Sequence, residues 1–434
     1  MAEVAVDESV DLDARYQLRS FPAEEQGHPG YERCVSWIRA VGQGFYDARR
    51  TEEQIAGTLH RAAVDQRLLT GIYELNAPAM VRPEQPVATF GTLVKDLNVG
   101  QGRMLPTLLI TAVTVRTDHR RRGLLSQMMR RRLRQAKEAG LAMAALTASE
   151  ASIYRRFGFG VATFERSVTQ KTGRSFSLDH RAQGTVRAVP VDLLPEFTAD
   201  IFARVHQQQT GSVDRQEAYR LRSVGLDRGQ DTNDKVLAAV HYDADGAADG
   251  YVSYQHAGWD ASPLRLDVID FIALGSARLD LWQYLASADL VEEIRWSEAS
   301  QLEGVEWALA DRRTMRTTGM QDMLWLRILD VKTALESRPY PEDGRLVLEV
   351  VDPMGLTGGI VAVDIRNGHA TVRPTDDAPM LRLDVADLAS LYLGSVPPTA
   401  LQAAGRLEES VPGSVNLAQR LLAAEGSVHC FTHF

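Results

Sequence analysis

Three arginines, Arg120, Arg121 and Arg122, stand directly before Gly123 in the run VTVRTDHRRRGLLSQMMRRRL, Val113 to Leu133. They do so in a chain whose net charge is −9. A strand-like apolar run delivers the backbone to the arginines, and a helical pattern follows them. A helix start carries free backbone N–H groups and the positive end of the helix dipole. A glycine there lets an anion come close to the backbone, and guanidinium groups add charge-assisted donors for phosphate. The pattern therefore describes a cradle for a small phosphorylated ligand. It is neither a GxxxxGK[ST] loop nor a GxGxxG fingerprint, both of which are absent. The acidic balance argues against nucleic acid as a partner and weakly favours a cationic substrate.

Other residues could also do chemistry. Tyr154 lies three residues before Phe157, on one helix face, and by itself reads as a core tyrosine. His119 reads as a loop residue beside the arginines. The closing stretch SVHCFTHF is rich in His, Phe and Cys and has no linker character, so it should dock rather than fray. Within it His429 and His433 are rival bases that titrate near neutrality. Trp37 and the run Gly44, Phe45, Tyr46 are candidates either for a pocket wall or for core packing. Cys34 and Cys430 are too few for a disulfide framework, and no Cys/His spacing suits a metal. Both thiols are expected to be idle.

The elements that must position these groups follow from periodicity. At 434 residues the chain should fold as two to four domains, and 44% hydrophobic with 24% charged residues suits a globular protein. CVSWIRAVGQGFY and TEEQIAGTLHRAAVDQ read as helices; QPVATFGTLVKDLNVGQG and LPTLLITAVTV read as adjacent strands. A helix from about Gly123 to Lys137 sets Leu125, Met129, Leu133 and Ala136 on one face. Arg130, Arg131, Arg132 and Arg134 are expected on its solvated side. LAMAALTA reads as a buried strand, SEASIYRRFGFG as a short helix capped by Ser149 and ended by Gly158, and VATFERSVTQ as a strand. A second region repeats the pattern without repeating the sequence. It has the hairpin KVLAAVHYDADGAADGYVSYQHA, the strand LRLDVIDFIALGS, and a helix over ARLDLWQYLASADLVEEIRW. Gly275 is followed by no arginine cluster, so this region should lack the phosphate cradle. The last region reads as a sheet whose final strand, in MLRLDVADLASLYLG, passes into a helix. Residues 1–20 are acidic without an apolar run and do not read as a leader, and no stretch reaches the roughly 18 apolar residues of a membrane span. The expected location is cytoplasmic, with export by a route lacking a signal peptide left open.

VTVRTDHRRRGLLSQMM followed by ALTASEASIYRRFGFGVAT resembles the acetyl-CoA loop, strand and helix of GNAT-type N-acetyltransferases. Within that superfamily the chain resembles the enhanced intracellular survival (Eis) family of actinobacterial aminoglycoside acetyltransferases. LWLRILDVKTALESRPY and RLDVADLASLYLG resemble that family's sterol carrier protein-like domain, and the chain, like the family, ends in phenylalanine. The generic GNAT pattern Q/R-x-x-G-x-G/A falls on Arg120, Gly123 and Leu125, with leucine in the last small position.

The resemblance implies an α/β (α+β) fold: two tandem GNAT-like domains followed by a sterol carrier protein-like α/β domain. The expected boundaries are 1–172 for the catalytic GNAT domain, 173–320 for a degenerate one, and 321–434 for the last. It implies acetyl-CoA as co-substrate and no metal. Val113, Thr114 and Val115 would pair with the pantetheine arm. Arg121, Arg122, Gly123, Leu124, Leu125 and Ser126 would wrap the pyrophosphate, with Ser149 and Glu150 beside the cofactor. Tyr154 would be the general acid and the α-carboxylate of Phe434 the general base. The substrates would be small-molecule amines, above all aminoglycosides, and the assembly a homohexamer, a trimer of dimers. A protein-lysine acetyltransferase and a non-catalytic acyl-CoA- or lipid-binding module are the alternatives.

Overall fold

The computed structural model describes residues 8–225 and 233–434; residues 1–7 of the acidic N-terminal stretch lie outside it. Three sheets organise the chain. The first runs β1 (Glu8–Asp11), β2 (Tyr16–Pro22), β3 (Leu68–Glu74), β4 (Ala88–Asn98), β5 (Met104–Val115), β6 (Met143–Thr147), β15 (Leu324–Ile328), β7 (Gly160–Val161). The second runs β14 (Met315–Asp322), β8 (Phe164–Lys171), β13 (Glu293–Ala299), β12 (Arg265–Ala273), β11 (Ala248–His256), β10 (Val236–Tyr242), β9 (Thr185–Val189). The third runs β18 (His369–Pro374), β17 (Gly359–Arg366), β16 (Gly344–Val351), β19 (Leu381–Asp384), β20 (Leu407–Glu409). Helices α1 (Tyr31–Phe45), α2 (Glu52–Val64) and α3 (Leu124–Glu138) serve the first sheet. Helices α4 (Pro195–Gln208), α5 (Glu217–Ser223), α6 (Ala277–Ala286) and α7 (Val305–Ala308) serve the second, and α8 (Val331–Ser337), α9 (Val385–Leu391), α10 (Pro398–Ala403) and α11 (Ser414–Leu421) the third.

The apolar run Met143–Thr147 lies in the middle of the first sheet and is buried on both faces. Ala144 and Leu146 face α3, packing with Leu124, Met128, Met129 and Leu133. Met143 and Ala145 face the opposite way, into one core shared with the third sheet. The start of α2 is set by a complete capping box, with Thr51 and Gln54 satisfying each other's backbone N–H.

Two strands cross between units. β8, read as the end of the first region, lies inside the second sheet between β13 and β14. β15, read as the opening of the last region, inserts into the first sheet between β6 and β7. The sequence ARLDLWQYLASADLVEEIRW is helical only to Ala286; its last residues begin strand β13. Arg132 is also placed differently from expectation. It is buried rather than solvated, its Nε donates to Thr92 Oγ1 at 3.1 Å, and burial pushes its pKa down to about 10.

The first and third units are clamped together. Arg155 forms a two-bond ion pair with the buried Asp387, at 2.9 and 2.6 Å. Arg327 and Asp352 form a pair at 2.6 Å with both side chains fully enclosed. At Gly160 a Cβ would run into the backbone carbonyl of Ala386, so only glycine lets β7 meet the start of α9.

Candidate active site

Strand β5 opens the site. It pairs with β6 only from Thr107 to Ile110, opposite Met143 to Leu146. On its other edge, β4 stays paired out to Val115. Between those partners the register slips: Thr89 faces Thr114 while Gly91 faces Thr111, so β5 carries one extra residue. Ala112 adopts a φ of +50° at that point. The bulge bends β5 away from β6. Val113, Thr114 and Val115 consequently turn an unpaired backbone edge to the gap. That edge can hydrogen-bond an extended amide-bearing ligand as a strand would.

The loop after β5 forms the floor. Arg121 and Gly123 have left-handed φ values of +62° and +77°. A Cβ at Gly123 would meet nothing within 4 Å, so the approach to this backbone is open. Gly123 caps α3, and the first amide bonded into the helix is that of Gln127, to the Gly123 carbonyl. Among the described residues, the N–H groups of Arg121 through Ser126 find no protein acceptor. The three arginines divide the work. Arg122 is tied back, donating to Tyr16 Oη at 2.7 Å and to the Asp118 carbonyl at 2.9 Å. Tyr16 Oη also meets His119 Nδ1 at 2.8 Å, and burial lowers the His119 pKa. These contacts brace the loop. Arg120 reaches the Val115 carbonyl at 3.4 Å. Arg120 and Arg121 line the gap itself.

The resulting cleft holds about 690 Å³. Val113, Thr114, Val115, Arg121, Gly123, Leu124, Leu125, Ser126, Ser149, Glu150 and Tyr154 all line it, and of the expected cofactor residues only Arg122 does not. Gly44, Phe45 and Tyr46 close one side. Gly44 is there because a larger residue would collide with the Thr114 side chain. Trp37 is not at the cleft: its indole N–H donates to the Thr70 carbonyl within the core. Ile153 and Arg156 also line the cleft and were not singled out. Their signal was the SEASIYRRFG run itself, read with the wrong geometry. That run forms two 3-10 turns, Ala151–Ile153 and Arg155–Phe157, and Ser149 caps neither. Gly158 does end the second turn, at a φ of +84°.

Tyr154 sits at the junction of the two turns, its ring packed edge-on against Phe159. Among the described residues its hydroxyl has no hydrogen-bonded protein partner. Burial, and then the Glu150 charge, raise its pKa above the ordinary 10.0. The phenol stays protonated through neutral pH.

Phe434 is not among the residues lining the cleft, but it comes to the strand that ends there. Its carbonyl oxygen accepts from Thr147 Oγ1 at 2.7 Å, and Thr147 precedes the cleft residue Ser149 by two positions. The tail before it is docked. Thr432 Oγ1 donates to the Val213 carbonyl at 2.8 Å, and Gln216 donates to the His433 carbonyl at 2.6 Å. His433 Nε2 meets Glu165 Oε2 at 3.0 Å. His429 is fully buried, which pushes its pKa down to about 4. Cys34 and Cys430 are buried too.

Comparison with known proteins gives the family likeness of each unit. An acetyltransferase (GNAT) domain matches residues 32–162, a second acetyltransferase (GNAT) domain matches residues 211–328, and a sterol carrier protein domain matches residues 331–431. An uncharacterized N-acetyltransferase of Streptomyces avermitilis is 34% identical over 409 residues, 91% of this chain and 95% of its own. The N-acetyltransferase Eis of Mycobacterium tuberculosis is 35% identical over 334 residues, 75% of this chain and 79% of its own. The crystal structure of Eis1 from Mycobacterium abscessus superposes with a TM-score of 0.77 at 25% identity, covering 94% of this chain and 98% of that one. A GCN5-related N-acetyltransferase from Anabaena variabilis shares the fold, with a TM-score of 0.77 at 21% identity over 96% of this chain and all of its own.

Proposed function

The chain belongs to the Eis family of GNAT N-acetyltransferases, and on that premise we propose that it acetylates amines of aminoglycoside-type polycations by direct transfer from acetyl-CoA. One observation carries the reading: a single cleft joins the bare edge of β5, the unbonded amides of Arg121 and of residues 123–126, and the protonated Tyr154. Val113, Thr114 and Val115 receive the amides of the pantetheine arm. The amides of Arg121, Arg122, Gly123, Leu124, Leu125 and Ser126 hold the pyrophosphate together with the Arg121 guanidinium. Ser149 and Glu150 flank the reacting end.

The α-carboxylate of Phe434 accepts the proton that the amine sheds as its nitrogen bonds to the thioester carbon. A carboxylate with an ordinary pKa of about 3.5 is ionised and able to accept at neutral pH. As the C–S bond breaks, the Tyr154 hydroxyl protonates the departing sulfur. Direct attack needs no protein nucleophile. The domain division 1–172, 173–320 and 321–434 gives each unit a part, the last supplying the base. The enzyme works as a homohexamer in the cytoplasm. Acetylation removes a cation that an aminoglycoside needs to bind RNA phosphates, which makes antibiotic resistance the consequence.

The test is release of free CoA, followed with a thiol reagent, across a panel of kanamycin-like amines and lysine peptides. Turnover on the amines is the expected outcome. Turnover on lysine peptides alone makes the chain a protein acetylase. No release on any amine makes it an acyl-CoA or lipid carrier. Extending the protein by a few residues beyond Phe434 converts the carboxylate to an amide and should abolish turnover. Full activity after such an extension removes Phe434 as the base.

A further inference from the structure

The second sheet contains the same device as the first, used differently. β12 pairs in parallel with β13 from Arg265 to Val268, opposite Glu293 to Trp296, and then the two strands part. Gly275 and α6 follow β12 as Gly123 and α3 follow β5. In the first sheet the parting strands open onto the cleft. In the second the space is filled from within the chain. Arg278, from the first turn of α6, lies over the Phe271 ring at 4.8 Å and the Trp296 ring at 5.7 Å, bridging the separated strands, and pairs with Glu303 at 3.3 Å.

Arg215 pairs with Asp270 of β12 at 2.8 Å and the Tyr219 hydroxyl donates to Glu298 of β13 at 2.9 Å, and the tail adds contacts of its own. Phe431 packs into the core formed by Ile272 of β12, Tyr251 of β11 and Phe202 of α4. His433 lies on the other side. It bonds to Glu165 of β8 at 3.0 Å, comes within 3.9 Å of Glu298 near the end of β13, and stacks on Tyr219 with ring centroids 6.1 Å apart. Beyond the point where the strands part, the tail thus shares a core with Ile272 of β12 and comes up to Glu298 of β13. Burial alone would raise the Glu165 carboxyl; the hydrogen bond and charge of His433, with the Gln321 hydrogen bond and the His429 charge, together hold it below the ordinary range.

We propose that the central GNAT-like domain is a peptide receptor whose ligand is the chain's own last residues: the mouth between β12 and β13 grips Phe431 and His433 and so sets where the Phe434 carboxylate lies. The ligand class is a peptide with an aromatic ring at the fourth position from its end and an imidazole at the penultimate one. Glu165 is a positioning residue, acting on the carboxylate through His433. The proposal deepens the reading of Phe434 as general base and rests on it.

The test uses the full chain. Hydrogen exchange of residues 427–434 and steady-state kinetics are measured for Phe431→Ala, Glu165→Gln and His433→Gln. Phe431→Ala and Glu165→Gln should each speed exchange in the tail and lower kcat about 10-fold or more, with KM for acetyl-CoA within about twofold. His433→Gln keeps a donor for Glu165 and should retain both tail protection and most of kcat. Unchanged tail exchange in Phe431→Ala and Glu165→Gln overturns the proposal, whatever happens to kcat. Faster exchange with kcat intact leaves the receptor standing and eliminates Phe434 as the base instead. Should Phe431→Ala fail to fold, the near-isosteric Glu165→Gln carries the same decision.

Discussion

Tyr154 and Arg121 show what single side chains can be asked to do. Tyr154 is buried where it lines the cleft, and its raised pKa keeps its hydroxyl a donor. Tyr154→Phe preserves the packing against Phe159 and removes only the hydroxyl. Turnover should fall on the order of 10²-fold with KM for acetyl-CoA little changed. In the unmodified protein, any alkaline decline in kcat that belongs to Tyr154 should lie above pH 10; a decline centred near 8 would implicate a different group. Arg121 and Arg122 look equivalent in the sequence, yet one faces the cleft and the other is bonded to Tyr16 and Asp118. Arg121→Ala should raise KM for acetyl-CoA roughly 10-fold and leave the melting temperature alone, as for a lost charge-assisted phosphate contact. Such local chemistry was legible because the arginines, the glycine and the helix start are neighbours in sequence. Arg132 was not legible. Its burial is decided by Thr92, forty positions away on β4, which no helical periodicity can reveal.

At the scale of elements, the cleft is made by a strand that stops pairing. The apolar runs of β4, β5 and β6 were readable as strands, and their order along the chain gave the strand–loop–helix arrangement. The extra residue at Ala112 was not readable, because nothing in TAVTV distinguishes a bulged strand from a straight one. The turns carrying Tyr154 were read as a helix since 3.0 and 3.6 residues per turn give the same pattern over so few positions. Those turns are held from outside, by the Arg155–Asp387 pair before β7 and by the close meeting of Gly160 with α9. Gly160→Ala should therefore cost about 1–3 kcal/mol, since a backbone carbonyl and not a flexible side chain stands in the way. Calorimetry would show the lowered transition. Activity should fall with it, because the displaced turn carries Tyr154.

At the scale of the molecule, the tail couples all three units and brings a pH dependence with it. His429 is neutral when folded, with a pKa of about 4 against an ordinary 6.5. Below pH 6.5 the unfolded chain binds a proton that the folded one refuses, so stability present at neutral pH is lost as pH falls from 6.5 toward 4. Melting followed at pH 7.5 and at pH 5 should differ by about 2–4 °C from this group. His429→Gln should narrow that difference; an unchanged difference would assign the acid sensitivity elsewhere. The three-unit organisation was legible from the sequence as a change of pattern along the chain. The exchange of β8 and β15 between sheets was not, since a strand's own residues do not say which neighbours it will join.

That exchange has a consequence for inheritance. β15 fills the seam between β6 and β7, so the sheet that bears the cleft is finished by residues encoded more than 150 codons after β7. A recombination event that lifted out the first unit as a cassette would transfer a sheet with a missing slat. Descendants of this gene can diverge by substitution throughout, but a copy that keeps the cleft intact passes the first unit on together with the two that follow it.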